Sequence, residues 1–293
     1  MCIVFVAFWP SPEAGQNSGY RLVLASNRDE EFGRPAKCAH AWNDGSGVVA
    51  GMDMTPGKEG GTWIGVNERN GRFGVITNVR QSLADIRPDA RGRGCLVADF
   101  LRSEQTPLEY CSMLSERAAE FNAFNILLGD MSTGCLCYYG NRTGESPRSL
   151  APGIYGLSNA FLDTPWKKVV AGKECFSSLL QTARVDGMAE DELQQRLFGL
   201  LSDKTKHWPD PLMQADDLPE EWLRDLSSVC VGCDSVAYGT RAKSIIVVTD
   251  DNQMLFKETA MQSPIQPGQE PVWQTSEFRF PVPESHPERS ARL

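Results

Sequence analysis

The sequence predicts an α+β fold in which antiparallel sheets carry helical layers. Three observations predict it. Strand-like segments follow one another directly through the first third of the chain; segments of helical periodicity then intervene; strand patterns return near the C-terminal end. That order differs from the strict strand–helix alternation of a parallel doubly wound sheet. At 293 residues the chain has room for one or two domains. It shows no repeat period and no low-complexity linker, so a single domain over residues 1–280 is expected.

The opening run Cys2-Ile3-Val4-Phe5-Val6-Ala7-Phe8-Trp9 reads as a buried strand over residues 3–9. It has no basic n-region, is short for a signal-peptide core, and enters Pro10-Ser11-Pro12 without a cleavage site. Segments 20–26, 47–52, 62–66 and 73–78 are rich in β-formers and bounded by Gly, Pro, Asn or Asp. Asn70-Gly71, late in the loop between Trp63 and Ile76, marks a hairpin. Helices are predicted over 95–101 and over 107–119, the second with Thr106 as N-cap and Pro107 at the first helical position. Strands 124–128 and 135–139 flank a Gly-Asp-Met-Ser-Thr-Gly turn, and 157–159 follows Pro152-Gly153. Two longer helices, 164–180 and 190–201, come next. In the latter, Leu193, Leu197, Leu200 and Leu201 share one face and read as core. The acidic, Pro-interrupted stretch 208–225 reads as a surface excursion, 244–249 and 254–258 as a strand pair, and 281–293 as a disordered tail.

Composition limits function. A formal net charge of −9 repels phosphate backbones, so nucleic acid is not an expected partner. Arg87, Arg91 and Arg93 cluster in a Gly-containing turn that reads as a solvated loop. Nine cysteines at irregular spacing, in a chain able to bury its own core, point to a reducing, cytoplasmic setting. Nothing approaches the roughly 18 apolar residues of a membrane span. Cys230-Val231-Gly232-Cys233 and Cys135-Leu136-Cys137 have no second pair at zinc spacing, so no metal site is expected. Gly57-Lys58-Glu59-Gly60-Gly61 lacks the Walker pattern.

Cys2 is the sharpest chemical feature. Removal of Met1 would give one residue both a thiol and a free α-amine, nucleophile and base together, with no histidine required. That matters because the chain has only His40, His207 and His286. The bland alternative is a small buried residue opening a strand. The second feature is Asn27-Arg28-Asp29-Glu30, charged groups directly after an apolar strand. There an acid can hold an ammonium or thiol proton and an arginine can bind an anion; a capped turn with surface ion pairs is the alternative.

With Gly57–Gly65, Tyr155-Gly156-Leu157-Ser158-Asn159-Ala160 and Tyr238-Gly239-Thr240-Arg241, these residues resemble the NRDE family of transport and Golgi organisation proteins, from residue 1 to about 280. The resemblance implies a four-layer αββα sandwich of the N-terminal-nucleophile hydrolase kind, two antiparallel sheets between helical layers. By similarity to the cysteine acylases of that fold, Cys2 would be the nucleophile, with Asp29, Asn78, Asn159 and Arg241 as its catalytic partners. The acylases carry an Arg three positions before the Asp; here that place is Ser26, and Arg28 adjoins the Asp instead. Asn27, Arg28, Glu30, Trp63 and His40 are the candidate ligand-binding residues. The resemblance also implies links to lipid and acyl-coenzyme A homeostasis, haem trafficking and Golgi organisation, with mitochondrial or Golgi association. Three functional readings follow. One is a carrier holding a small hydrophobic anion, haem or acyl-coenzyme A, near Cys2. The second is a cysteine amidohydrolase or thioesterase, and the third a structural factor in Golgi or secretory organisation. None requires a cofactor; haem would be cargo.

Overall fold

The computed structural model describes residues 2–11, 19–213, 215, 217–265 and 270–284. In chain order its strands and helices are β1 (Ile3–Phe8), β2 (Tyr20–Glu31), β3 (Ala36–Ala41), β4 (Val48–Asp53), β5 (Ile64–Asn67), β6 (Arg72–Asn78), α1 (Gly94–Arg102), α2 (Pro107–Glu116), β7 (Phe124–Asp130), β8 (Cys135–Gly140), β9 (Arg148–Ser149), β10 (Gly153–Leu157), α3 (Lys167–Asp186), α4 (Glu190–Leu200), α5 (Glu220–Leu226), β11 (Gly232–Cys233), β12 (Tyr238–Thr249), β13 (Gln253–Met261) and β14 (Trp273–Pro281). Among the described residues there are two seven-stranded sheets. One runs β10-β1-β2-β12-β13-β14, with β11 beside β12; the other runs β3 through β9 in sequence order. The strand pairings are antiparallel.

Three clusters of apolar side chains separate the layers. Ile3, Phe5 and Ala7 of β1 pack with Val23, Ala25, Ile245 and Val247 beneath the helical side chains Phe176, Leu193 and Leu197. The alternate residues Val4, Val6 and Phe8 face the other sheet and meet Val49, Val75 and Leu127. On that sheet's outer face Val48, Ile126 and Leu128 pack under Phe100 and Leu101 of α1 and Leu114 of α2. Helices therefore cover both outer faces, and β1, buried on both sides, is an unbroken apolar run. α2 starts as expected, with Thr106 as N-cap and Pro107 at the first helical position, and Glu109 completes a capping box with Thr106. In the β5–β6 hairpin Gly71 takes φ +69°, where an L side chain is strained.

Several expectations are corrected. β2 does not stop at Ser26; it runs through Asn27–Glu31 because β12 pairs alongside it to Tyr238. The stretch 208–225 is more than a surface excursion. It contains α5, buries Met213 and Leu223, and presents buried Asp210, whose Oδ2 accepts from the backbone N–H of Lys167 at 2.7 Å to cap α3. β3 and β14 were not foreseen, since Ala-Lys-Cys-Ala-His-Ala is poor in β-formers and β14 adjoins the Pro-rich end. Pro281 closes β14 and Val282 is buried between the sheets, so the structured chain extends past the expected tail boundary. The rest of that expected tail, 285–293, lies outside the described residues. Among the described residues no helix is long and apolar enough to cross a membrane.

Candidate functional site around Cys2

Cys2 stands one residue before β1, whose ladder sets Ile3 opposite Asn27 of β2 and Val4 opposite Leu157 of β10. This register brings three sequence-distant segments to the thiol. Cys2 is partly buried, and its Sγ lies 4.0 Å from the carbonyl oxygen of Asp29, a weak S–H donor contact. Its own carbonyl accepts from Ser158 Oγ at 2.8 Å. Burial pushes the thiol pKa up and the charge of Asp29 pushes it further; the positive amino terminus, then the contact with the Asp29 carbonyl and the charge of Arg28, oppose them without reversing the direction. The protonated thiol dominates at neutral pH.

Asp29 is buried, and its Oδ1 accepts from Thr240 Oγ1 at 2.6 Å. Thr240 Oγ1 in turn accepts from the backbone N–H of Val231 at 2.9 Å. The hydroxyl of Tyr238 donates to the Asp29 carbonyl at 3.1 Å, and burial, with Asp29 and Cys2 behind it, holds that phenol neutral well above its usual range. Lys168, fully buried at the start of α3, donates from Nζ to the carbonyl of Leu226 at 2.9 Å. Burial lowers its pKa to about 8, and the negative charges of Asp29 and Cys2 are the first to resist that fall.

Asn159 follows β10 and joins the same corner. Its Nδ2 donates to the backbone carbonyl of Asn78 at 2.5 Å, and its own carbonyl accepts from the Arg80 N–H at 2.7 Å. Its Oδ1 is buried without a partner among the described residues. Thr77 Oγ1 donates to the Ser158 carbonyl at 3.0 Å, so Cys2, Ser158, Asn159 and Asn78 tie the end of one sheet to the end of the other. Asn78 takes part through its main chain, as an acceptor.

The remaining candidates are placed elsewhere. Asn27 points into the helical layer and donates to the carbonyls of Leu201 and Val229, both at 2.9 Å. Arg28, on the opposite face of β2, stacks over Trp63 at 4.2 Å between the sheets. Glu30 pairs with Arg34 at 2.9 Å and with Arg28 at 3.7 Å. Arg241 occupies a β-bulge and donates to the carbonyls of Glu31 and Arg34 and to Ser263 Oγ, sharing with Arg28 and Trp63 a pocket between the sheets. His40 lies on edge strand β3, which packs near β13 and β14, and its Nδ1 meets the carbonyl of Cys38 at 2.9 Å.

Four residues near this corner were not nominated as site residues from the sequence. Lys168 carried a signal, because it lies on the apolar stripe of α3 with Gly172, Phe176, Leu179 and Ala183, where a lysine is out of place. Tyr238 and Thr240 were part of the Tyr238-Gly239-Thr240-Arg241 motif but were given no role, since the bulge at Arg241 that orients them is tertiary. Arg93 was grouped with a solvated turn, but its Nη1 donates to the Ala123 carbonyl at 2.8 Å, and burial, with the charge of Arg34, lowers its pKa against the opposing charge of Glu30. Among the described residues no group of His, Cys, Asp and Glu is arranged to hold a metal ion.

Two antiparallel sheets between helices, with a cysteine just before the first strand whose Sγ meets the Asp29 carbonyl and whose carbonyl accepts from Ser158, define a two-sheet α+β protein. The family model described as Transport and Golgi organisation 2 matches residues 1–263, and the chain belongs to that family. It is 39% identical over 285 residues to the mouse Transport and Golgi organization 2 homolog, covering 96% of this chain and 99% of the relative. The Bos taurus homolog is 40% identical, with the same 96% and 99% coverage. The Drosophila melanogaster Transport and Golgi organization protein 2 is 33% identical over 89% of this chain and 92% of its own length.

Proposed function

We propose that this chain carries a small hydrophobic anion, an acyl thioester of coenzyme A or haem, at a site organised around Cys2. In this reading it serves lipid and acyl-coenzyme A homeostasis and haem trafficking in the cytoplasm, with mitochondrial or Golgi association. The observation that supports it best is the state of Cys2: a partly buried thiol, kept protonated by burial and by Asp29, beside Tyr238, Thr240 and Ser158, which are already hydrogen-bonded. A thiol kept protonated is a poor nucleophile, and it would ligate haem iron only after losing its proton. Among the residues named, Cys2 is the remaining axial candidate for haem, because His40 belongs to β3. No cofactor is required for this function.

A second reading is favoured by the convergence of Cys2, Asp29, Asn78 and Asn159. With Met1 removed, the free α-amine would accept the thiol proton, the thiolate would attack an amide or thioester carbonyl, and the amine or thiol would leave with that proton. Water would then release the acyl group from sulfur. An oxyanion donor from Asn159 would contribute about 3–4 kcal/mol.

Wild type and Cys2→Ala are compared by acyl-substrate turnover and by spectroscopic titration with haem and with an acyl-coenzyme A. Saturable binding that weakens in Cys2→Ala without turnover supports the carrier. Turnover lost in the variant supports the hydrolase, and intact-mass retention of Met1 rules the hydrolase out. Silence in all assays leaves the structural role in Golgi organisation that the relatives' names suggest.

A further inference from the structure

The pocket between the sheets has an unusual lining. Arg28 of β2, Arg241 and Ala242 of β12 and Ala260 of β13 close it from one sheet; Lys37 and Cys38 of β3, with Trp63, close it from the other. Arg28 and Arg241 are 7% and 2% exposed. Their charges are poorly balanced. Glu30 is shared between Arg34 at 2.9 Å and Arg28 at 3.7 Å, and Arg34 also takes Asp53 at 2.5 Å. Arg241 pairs with no carboxylate among the described residues; its guanidinium rests on two backbone carbonyls and the Ser263 hydroxyl, and its Nε is buried without a partner. Burial lowers its pKa to about 10, and Arg28 is the leading charge in the same direction. Glu258, two residues along β13 from Ala260, accepts from the Ala39 N–H at 2.8 Å and the Ser244 hydroxyl at 3.0 Å; burial raises its pKa, with Trp63 and the charge of Arg28 among the opposing influences, and it forms no ion pair with Arg241.

Two buried guanidiniums with a lysine at the rim, around a space for about one water-sized body, call for a compact negative charge. We propose that the pocket formed by Arg28, Arg241, Lys37 and Trp63 is a binding site for one small inorganic monoanion of the chloride or bromide size, which joins the two sheets. The site is separate from Cys2. Arg28 and Asp29 point to opposite faces of β2, so the anion lies between the sheets while the Asp29 side chain faces the helices. The aliphatic walls from Ala242, Ala260 and Met261 suit a weakly hydrated halide better than a strongly hydrated, larger oxyanion such as sulfate.

The test is thermal unfolding of the full chain in sodium chloride, bromide, sulfate and gluconate at matched ionic strength. It is paired with crystals grown in bromide and measured at its absorption edge. The expected result is a saturable rise of the midpoint by about 2 °C or more in chloride and bromide only, with an anomalous peak between Arg28 and Arg241. Arg28→Gln, and Ala260→Val, which fills the space without removing charge, should abolish the halide response; Cys2→Ala should keep it. Arg241 anchors two backbone segments, so it is left intact. The proposal is overturned by equal shifts in all four salts, by a halide response that survives both pocket variants, or by a water in place of the bromide peak.

Discussion

Ser158 Oγ donates to the carbonyl of Cys2 at 2.8 Å, and this bond fastens the free end of β1 to the residue that follows β10. Ser158→Ala removes one partly buried hydrogen bond and should cost about 0.5–1.5 kcal/mol in urea unfolding. The same change should speed alkylation of Cys2 in the folded protein, because the thiol loses its tether. Unchanged alkylation would mean that Cys2 is held by its ladder alone.

Asp29 raises the pKa of the Cys2 thiol rather than lowering it. Asp29→Asn preserves an oxygen for the Thr240 hydroxyl while removing the charge. The expected outcome is a lower Cys2 pKa and several-fold faster reaction with iodoacetamide near pH 7.5, read by mass spectrometry across a pH series. A slower reaction would show that the carboxylate activates the thiol.

Lys168 makes stability depend on pH with a definite sign. In the folded chain burial lowers its pKa from 10.5 to about 8. Between these values the unfolded state binds the additional proton, so this group's contribution rises with pH across that window, by about 3 kcal/mol in all. Below pH 8 both states are protonated and the full cost of burying the ammonium is felt. Lys168→Met should therefore lose ground to wild type progressively as the pH climbs from 8 to 10. Parallel stability profiles for the two proteins would refute the assignment.

Gly172 lies in α3 where alanine would ordinarily favour a helix. A β-carbon there would stand 2.2 Å from Phe5 Cζ in β1. Gly172→Ala should consequently destabilise the chain by about 1–3 kcal/mol, and because α3 also carries Lys168 it should alter the Lys168-dependent pH slope. A gain in melting temperature would show that the helix can shift freely.

Legibility followed periodicity. The two-faced burial of β1, the β5–β6 hairpin, the capping box of α2 and the leucine face of α4 were readable because each rests on spacing within one element. Cys2, Asp29 and Asn159 were nominated, but residue order could not reveal their partners, since those are set by pairing β1 with β2 and β10 at once. β3 was missed for a related reason. Its weak β-formers are held by partners, including the Glu258 carboxylate on the Ala39 N–H. The extension of β2 through Asn27–Glu31 was hidden because charged residues normally end a strand, and only β12 alongside makes them continue it.

That extension has a consequence of its own. Asn27 and Asp29 address the helices, while Arg28 and Glu30 address the opposing sheet, so four neighbouring letters belong to two separate rooms with a wall of backbone between them. Sliding the strand by a single position would send each pair into the wrong room. A saturation screen across the motif should thus divide into two families of phenotype, odd positions against even, with a deletion of one residue upstream harming both together.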